Sequence, residues 1–350
     1  MADPVLSTRQ LNRALLARQL LLERASGGIE AAVERIGGLQ TQNAKSGYIG
    51  LWSRLAGLRK SDYTDALNER RLIQGWLMRV TIHTVSAADY WPMAIAVREA
   101  RRTWWLRTWS RTVGEVDPQR AADAIAAELA DGPLRQRELQ ARMTERGFSK
   151  DVVNGAALWI DLVRVPPQGT WDRPRADNYG LAADWIPPQE IGEGAARERL
   201  VRQYLAAYGP AALADAAGWT GIPVATLRPI VEGMELRHFR DEGGRVLLDL
   251  PDAPLPDPET PSPPRFLGSF DPSLMVQARR TGILPEEFRP IVFSIKAPQS
   301  FHTFLLDGEV AGTWRHEDGE IRLEPLRALA APERRALEEE AHRLGQFHAE

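Results

Sequence analysis

Apolar residues recur three and four positions apart through most of the first 77 residues, which predicts helices. Residues 7–25 follow a Ser/Thr cap, residues 27–38 lie between two pairs of glycines, and residues 61–77 begin with a Ser and an Asp as candidate caps. At 78–86, "MRVTIHTVS", the pattern alternates and contains β-branched residues, which is typical of a strand. The opening of the chain is therefore predicted to be several helices that end in a strand.

A long helix is predicted at 88–112, where tryptophans are interleaved with arginines. The interpretation we favour is an amphipathic helix that packs a tryptophan-rich face into the core. The other interpretation is an arginine stripe that faces DNA phosphates. The tryptophans are Trp91, Trp104, Trp105 and Trp109, and the arginines are Arg98, Arg101, Arg102, Arg107 and Arg111.

Two later regions repeat one order of elements, in which helices precede a β-hairpin. In residues 133–182 two predicted helices, over 133–147 and 149–165, are followed by a stretch rich in Gly, Pro and Asp, with strand character on both sides of it. Residues 196–250 repeat this order with three helices and a hairpin that turns at Gly243 and Gly244. This is the order of a winged helix-turn-helix, and we interpret residues 7–85 as a third variant of it.

The last part of the chain has a different pattern. A Pro- and Asp-rich linker occupies 251–264, and at least three strands, with turns at Gly308 and Gly319, precede a charged helix from about Pro332. The predicted fold class is α+β, mostly helical, with tandem winged helix-turn-helix motifs and a C-terminal α+β unit that contains a β-hairpin. The predicted units are 1–130, 131–190, 191–255 and 256–350.

The composition excludes several kinds of chemistry. With 44 Lys and Arg against 47 Asp and Glu, DNA binding would have to depend on local patches rather than on overall charge. The chain has no cysteine, which excludes disulfides, thiolate nucleophiles and cysteine-based zinc sites. The six histidines lack metal-ligand spacing and no nucleotide-binding fingerprint is present, so we expect neither a metal nor a cofactor. The apolar runs are too short for a membrane span and the N-terminus lacks a signal-peptide pattern, which predicts a cytoplasmic, nucleoid-associated protein.

Two uncharged amides lie close together in "IGGLQTQNAKS", residues 36–46, where Gln40 and Gln42 flank one threonine. Four blocks occur in order along the chain: "GGLQTQNAKSGYIGLWSRL", "LMRVTIHTVSAADYW", "LGSFDPSLM" and "FHTFLLDGEVAGTWR". Together they resemble the AlkZ/YcaQ-type winged-helix DNA glycosylases, over about residues 7–325. The three-residue Gln-x-Gln motif taken alone is not specific to that family.

The resemblance implies which residues carry out catalysis. In that family the first block contains a catalytic Gln-aliphatic-Gln motif in one branch and Gln-aliphatic-Asp in the other. Gln40 and Gln42 stand on the motif positions of the first branch, and Thr41 replaces the aliphatic residue. Without the resemblance, two glutamines after a helix would be interpreted as caps or loop contacts.

The other predicted site residues have structural interpretations as well. Asn43 either assists the site or caps a helix, and His83 either lines the cleft or lies in the core of its strand. Asp271 either caps the turn before a proline, which we favour, or supports the site from behind. Residues 293–304 are either an ordinary surface hairpin or, as the family implies, a probe of the minor groove. The residues predicted to bind DNA are Lys296, Gln299, Arg79 and Arg173.

The family implies a monofunctional DNA glycosylase that excises N7-alkylated purines, including bulky natural-product adducts and interstrand crosslinks, in DNA repair or antibiotic self-resistance. An N7-alkylated guanine already carries a positive charge, so its glycosidic bond breaks without a strong general acid. A glutamine carbonyl can accept a hydrogen bond from the attacking water, although glutamine is not a base at neutral pH. The expected partner is double-stranded DNA with alkylated purines, and the expected state is a monomer.

Two other classes of function fit the same pattern. One is a non-catalytic winged-helix DNA-binding protein, either a regulator or a damage binder. The other is a winged-helix interaction module that does not bind DNA, which the negative net charge of -3 allows.

Overall fold

The computed structural model describes residues 3–113, 117–294 and 299–350. Two short 3₁₀ turns, Met78–Val80 and Pro272–Leu274, lie beside the regular elements. The α-helices are α1 (Thr8–Arg18), α2 (Ile29–Arg35), α3 (Ala44–Trp52), α4 (Lys60–Asn68), α5 (Ala87–Val113), α6 (Pro118–Leu129), α7 (Gln136–Glu145), α8 (Lys150–Ala156), α9 (Ala182–Trp185), α10 (Glu193–Tyr208), α11 (Leu213–Thr220), α12 (Val224–Glu232), α13 (Ala278–Thr281), α14 (Arg289–Val292) and α15 (Ala331–Ala349). The β-strands are β1 (Val5–Leu6), β2 (Leu39–Gln40), β3 (Leu72–Trp76), β4 (Ile82–Ser86), β5 (Leu134–Arg135), β6 (Leu162–Arg164), β7 (Asn178–Leu181), β8 (Arg237–Asp241), β9 (Val246–Asp249), β10 (Arg265–Leu267), β11 (Phe293–Ser294), β12 (Gln299–Ser300), β13 (Thr303–Leu306), β14 (Glu309–Glu317) and β15 (Glu320–Pro325).

One antiparallel sheet joins the first two predicted units. Its strand order is β2-β4-β3-β6-β7-β5, and β3 pairs with β6 through Gln74 opposite Arg164 and Gly75 opposite Val163. β3 and β4 belong to the predicted first unit, whereas β5, β6 and β7 belong to the second. The backbone hydrogen bonds of a single sheet thus cross the boundary placed after residue 130, and the four-part division stays a prediction.

The second and third regions have the predicted order of helices followed by a hairpin. In the second region α7 and α8 precede β6 and β7. Before them along the chain lie α6 and β5, which the sequence patterns did not single out. In the third region α10, α11 and α12 precede the hairpin of β8 and β9, and β1 adds to β8 in parallel. Arg18 of α1 forms a buried bidentate pair with Asp249 of β9, at 2.7 and 2.9 Å, which fixes the first helix against this third region.

The C-terminal unit is a four-stranded antiparallel sheet, β10-β13-β14-β15, with α15 packed against it. Phe266 and Phe304 from the sheet and Leu337 from α15 belong to one apolar cluster with Tyr48 and Leu51 of α3. Burial of this shared surface stabilises the packing of the C-terminal sheet on the first region, because apolar area is removed from water. The amide motif precedes α3 directly, so this packing also places the C-terminal sheet next to the motif.

The helix predicted over 61–77 is wrong in its second half. α4 ends at Asn68, and Leu72–Trp76 form β3, which pairs with β4 on one side and β6 on the other. Gly75 has a packing reason in this strand, because a Cβ there would lie 2.7 Å from the Tyr90 ring of α5. Helix α1 is also shorter than predicted and ends at Arg18.

The long helix α5 buries only half of its tryptophans. Trp91 and Trp105 are 7% and 5% exposed, whereas Trp104 and Trp109 are 48% and 37% exposed. The predicted tryptophan-rich core face is therefore confirmed for two of the four residues. Arg98 and Arg101 bind Asp161, and Arg102 donates to the carbonyls of Leu158 and Trp159, so three of the arginines hydrogen-bond within the protein.

The architecture is mixed α+β and mostly helical, as predicted. Across the described ranges, no helix is long and apolar enough to cross a membrane. The same ranges contain no group of three or more His, Cys, Asp or Glu side chains that could hold a metal ion.

Candidate active site

An open cleft of about 820 Å³ lies between the first region and the C-terminal sheet. One wall is the segment that contains the two glutamines. The other walls come from the loop after β10, from β12 and the residues that follow it, and from β14 and β15. The lining residues are Gln40, Gln42, Asn43, Thr81, Ser269, Phe270, Ser300, Phe301, His302, Thr313, Trp314, Arg315 and Glu324.

Gln40 and Gln42 contact each other in this cleft. Gln40 ends β2, which is paired with β4 so that Gln40 lies opposite His83, and its side chain is 6% exposed. Its Nε2 donates to Oε1 of Gln42 at 2.9 Å, and Gln42 itself is exposed. The motif therefore presents one buried amide and one accessible amide, joined by a hydrogen bond.

Thr41 points away from the cleft, because side chains alternate along an extended segment. It is fully buried, and its Oγ1 lies 2.9 Å from Oγ1 of Thr84, which also accepts from the Tyr63 hydroxyl at 2.9 Å. The threonine at the aliphatic position thus packs inward as an aliphatic residue would, and its hydroxyl has a partner.

Asn43 both caps a helix and faces the cleft. Its Oδ1 accepts from the backbone N–H of Lys45 at 3.2 Å, at the start of α3. Asn and Asp are favoured at such positions because they satisfy an otherwise unpaired N–H. The cap holds the direction of the chain as it leaves Gln42.

Arg79 lies in the 3₁₀ turn between β3 and β4, with its guanidinium directed into the protein. Its Nη1 donates to the Trp219 carbonyl at 2.6 Å, and its Nη2 donates to Oε1 of Gln40 at 3.0 Å. Burial lowers the pKa of Arg79 from its usual value. DNA binding by Arg79 stays a prediction, but these contacts direct the side chain to Gln40 rather than outward.

His83 is a buried, neutral residue next to the motif. Burial, and then the charge of Arg79, lowers the pKa of His83 to about 3, and its Nδ1 lies 3.0 Å from the Thr81 carbonyl oxygen. It does not line the cleft, although it lies opposite Gln40 in the sheet. A role in acid-base catalysis is therefore not supported by its surroundings.

Asp271 caps the turn that follows the third sequence block. Its Oδ1 accepts from the Ser273 N–H at 3.0 Å, and both carboxylate oxygens accept from Arg54 at 2.9 Å. Arg54 belongs to the segment after α3, so this fully buried pair fixes the loop of Ser269 and Phe270 against α3. A hydrogen bond of 2.7 Å between the Ser46 and Ser269 hydroxyls adds to the same contact.

An aromatic wall faces the glutamines, and the sequence patterns did not single out its members. Phe270, Phe301, His302 and Trp314 all line the cleft. The His302 ring stacks on Trp314 with centroids 4.6 Å apart, and burial lowers the pKa of His302 to about 4. The signal that could have identified them is their presence in the third and fourth sequence blocks.

One charged pair lies in the cleft as well. Arg315 and Glu324, on adjacent strands, form an ion pair of 2.7 Å, and Thr313 donates to the same carboxylate at 3.2 Å. The sequence patterns did not identify Glu324 as a cleft residue. Among the described residues, the hydrogen-bond partners of the Gln40 and Gln42 side chains are each other and Arg79, so Glu324 does not bind either amide.

Three further residues are predicted to contact DNA: Lys296, Gln299 and Arg173. Strands β11 and β12 pair antiparallel, which agrees with the predicted hairpin, but Lys296 lies outside the described residues. Gln299 begins β12. Arg173 is exposed between β6 and β7. DNA binding by these three residues stays a prediction.

Comparison with known proteins identifies the class. A model of the family described as DNA glycosylase AlkZ-like matches residues 33–347. The chain belongs to this AlkZ-like family and is a DNA glycosylase, an enzyme that hydrolyses N-glycosyl bonds in DNA.

One curated relative and one solved structure match nearly the whole chain. The interstrand DNA cross-link repair glycosylase of Streptomyces sahachiroi is 26% identical, over 96% of this chain and 95% of its own length. The structure of the Streptomyces sahachiroi DNA glycosylase AlkZ has a TM-score of 0.82 and 22% identity, and covers 98% of this chain and 97% of that one. The second comparison shows that the two chains share a fold.

Proposed function

We propose that this enzyme excises N7-alkylated purines from double-stranded DNA, with Gln40 and Gln42 positioning the attacking water. The observation that carries the proposal is the hydrogen-bonded amide pair, which meets the cleft with no carboxylate bound to it in the described part of the chain. An amide pair that binds no carboxylate suits a substrate that needs no protonation, and the cleft carboxylate of Glu324 is paired with Arg315. A purine alkylated at N7 is such a substrate, because its own positive charge makes it a good leaving group.

Gln42 is the residue that we place next to the water. It is exposed in the cleft, and its Oε1 has a second lone pair beyond the one that accepts from Gln40. That lone pair can accept a hydrogen bond from water, while the amide N–H groups donate to sugar or phosphate oxygens. Fixing the water beside the sugar removes part of the entropic barrier to hydrolysis.

Large adducts and interstrand crosslinks belong to the proposed substrate range. The cleft of about 820 Å³ is open and has the volume of sites that hold drug-sized molecules, which exceeds what a bare base requires. The four aromatic residues on its far wall offer flat apolar surfaces for a large planar substituent. The relative named as a crosslink repair glycosylase supports the same range, and the proposed roles are DNA repair and self-resistance to DNA-alkylating antibiotics.

The test is excision from duplex oligonucleotides with one N7-methylguanine, measured as strand cleavage after heat and alkali. Wild type is compared with Gln40→Ala and Gln42→Ala, and each variant is expected to lose about 100-fold or more in single-turnover rate. Gln203→Ala is the matched control, because the Gln203 amide binds Asp89 and the Glu34 carbonyl rather than the cleft.

The possible outcomes separate the candidate functions. Cleavage by wild type and by the control, but not by the two alanine variants, supports the proposal. Tight binding of the modified duplex without cleavage, by every protein and also with a crosslinked duplex, would favour a damage binder instead. Full activity of both alanine variants would remove the glutamines from the mechanism.

A further inference from the structure

We infer that Arg79 is a positioning residue of the active site, which fixes the direction of the hydrogen bond between Gln40 and Gln42. The inference rests on the proposed function of the two glutamines. It concerns the only side chain outside the pair that binds either amide in the described ranges.

The guanidinium settles how the Gln40 amide is oriented. A guanidinium can only donate hydrogen bonds, so the Gln40 atom 3.0 Å from Nη2 of Arg79 must be the oxygen. The Gln40 NH₂ group then faces Gln42, and because an NH₂ group only donates, the Gln42 atom 2.9 Å away must also be an oxygen. One cation thus determines the orientation of both amides.

Without Arg79 the pair would have two arrangements of similar energy. Gln40 could donate to Gln42, or Gln42 could donate to Gln40, since an amide has both a donor and an acceptor end. The first arrangement anchors the Gln42 carbonyl oxygen beside Gln40 and leaves its NH₂ group facing the cleft. The second arrangement exchanges the oxygen and the NH₂ group of Gln42. If both arrangements were populated, the Gln42 oxygen would occupy two positions, and a water bound to it would not have one fixed position.

The fold holds Arg79 in place at some conformational cost. Arg79 and Val80 have φ values of 54° and 58°, in the left-handed region that non-glycine residues seldom adopt. The turn is closed by hydrogen bonds from Val80 N to the Leu77 carbonyl and from Thr81 N to the Met78 carbonyl, at 3.3 and 3.2 Å. This conformation is the one that turns the side chain inward towards Gln40.

The other guanidinium nitrogen of Arg79 donates a hydrogen bond to the C-terminal end of α11. The Trp219 carbonyl, in the last turn of α11, accepts from Nη1, and carbonyls at a helix C-terminus carry partial negative charge. Gly221 caps this helix with a φ of 78°, and a Cβ there would be in ordinary van der Waals contact, at 3.5 Å, with the backbone nitrogen of Arg79. Arg79 has no carboxylate within salt-bridge distance among the described residues. Its hydrogen-bonding capacity is therefore directed to one helix end and one catalytic amide.

The experiment is a double-mutant cycle between Arg79→Met and Gln40→Ala, read as single-turnover excision of N7-methylguanine and as affinity for the same duplex. Alone, Arg79→Met is expected to lower the rate about 10- to 100-fold while affinity changes less than about threefold. In the Gln40→Ala background the same change should cost less than about twofold, because Arg79 acts through the amide that is already gone. Arg79→Lys keeps one donor and should recover part of the rate.

Arg265→Met is the matched control for loss of a buried arginine. Arg265 is buried and donates to the carbonyls of Pro264 and Leu22, far along the chain from the glutamine motif. We expect its excision rate per folded molecule to equal that of wild type. The inference would be overturned if the rate losses of Arg79→Met and Gln40→Ala multiplied in the double variant. It would also be overturned if Arg79→Met lost affinity for the duplex at an unchanged rate, and that result would make Arg79 a DNA-binding residue.

A readout without catalysis separates this inference from the proposed function. The side-chain NH₂ resonances of Gln40 and Gln42 are assigned by their absence in the alanine variants. In Arg79→Met, but not in Arg265→Met, both should shift and exchange faster with solvent. If wild type excises no N7-alkylated base, the proposed function fails, and unshifted amide resonances would by themselves overturn the role of Arg79.

Discussion

Two arginines that contact the site, the buried Arg54 and the half-buried Arg79, have opposite surroundings. Arg54 forms a bidentate pair with Asp271 and also donates to the Ser273 hydroxyl and the Gly50 carbonyl. Arg79 donates only to the Trp219 carbonyl and the Gln40 amide oxygen, among the described residues. Residue type alone therefore does not tell a structural arginine from one that acts on the site.

The difference shows that the buried carboxylate and the amide pair occupy separate places in the protein. The carboxylate of Asp271 is used to hold a loop against α3, where a fully buried ion pair is tolerated because both carboxylate oxygens accept hydrogen bonds from Arg54. At the motif itself the fold supplies amides and a cation, and no carboxylate of the described residues binds Gln40 or Gln42. The four predictions below test the assigned roles of these residues, from the largest expected effect to the smallest.

Asp271→Asn should be the most damaging change, because it leaves the Arg54 charge buried without its partner. We expect the free energy of unfolding to fall by about 3–5 kcal/mol, measured by urea denaturation. Glu198→Gln, which breaks an exposed pair with Arg202, is the control and should have almost no effect. A loss for Asp271→Asn as small as that of the control would mean that the pair does not hold the loop.

The two glutamines should differ in their tolerance of a carboxylate. Gln42→Glu keeps an oxygen that accepts from Gln40, so its excision rate is expected within about 10-fold of wild type. Gln40→Glu still accepts from Arg79 but can no longer donate to Gln42, and its rate should fall by about 100-fold or more. Single-turnover excision measures both, and equal losses would argue against a directed hydrogen bond.

Stability should decrease in mild acid because the buried His83 and the half-buried His302 are neutral in the folded protein. The pKa of His83 is lowered to about 3 and that of His302 to about 4, so the unfolded chain takes up protons that the folded protein does not. Stability is therefore lost as the pH falls from about 6.5 towards 4, by at most about 1.4 kcal/mol per pH unit for each histidine. Urea denaturation between about pH 7 and pH 5 measures the slope.

The matched histidine variants are His302→Gln and His238→Gln. The first should reduce the slope of stability against pH, and the second, at an exposed position on β8, should leave it unchanged. A slope that is the same in wild type and His302→Gln would contradict the assignment of His302 as a half-buried neutral residue.

Thr41→Val should have the smallest effect and restores an aliphatic residue between the glutamines. It removes the hydrogen bond to Thr84 but keeps the shape, so the free energy of unfolding should change by about 0.5–1.5 kcal/mol. The excision rate should stay within about threefold of wild type, since Thr41 faces the core. A 10-fold loss of rate would show that the Thr41 hydroxyl acts on the motif.

Local patterns predicted most of the helices correctly. The spacing of apolar residues identified α2, α5, α7, α8, α10, α11, α12 and α15, because an amphipathic helix must place its apolar residues on one face. The same reasoning failed at 72–76 and at 162–164, where the segments predicted as helices over 61–77 and 149–165 contain strands β3 and β6. A strand buried on both faces has an apolar run without a helical or alternating period. Pairing with β4 and β6 decided the structure of the first segment, and pairing with β3 and β7 decided that of the second.

The sequence by itself determined the amide motif, the absence of thiol chemistry, and the order of helices and hairpins. It also contained all four blocks on which the family resemblance rests. Only the tertiary structure decided that His302 and Trp314 line the same cleft as Gln42, and that Arg79 donates to Gln40. These contacts join residues from separate elements, and their geometry depends on how the elements pack. Local periodicity describes one element at a time and cannot supply that information.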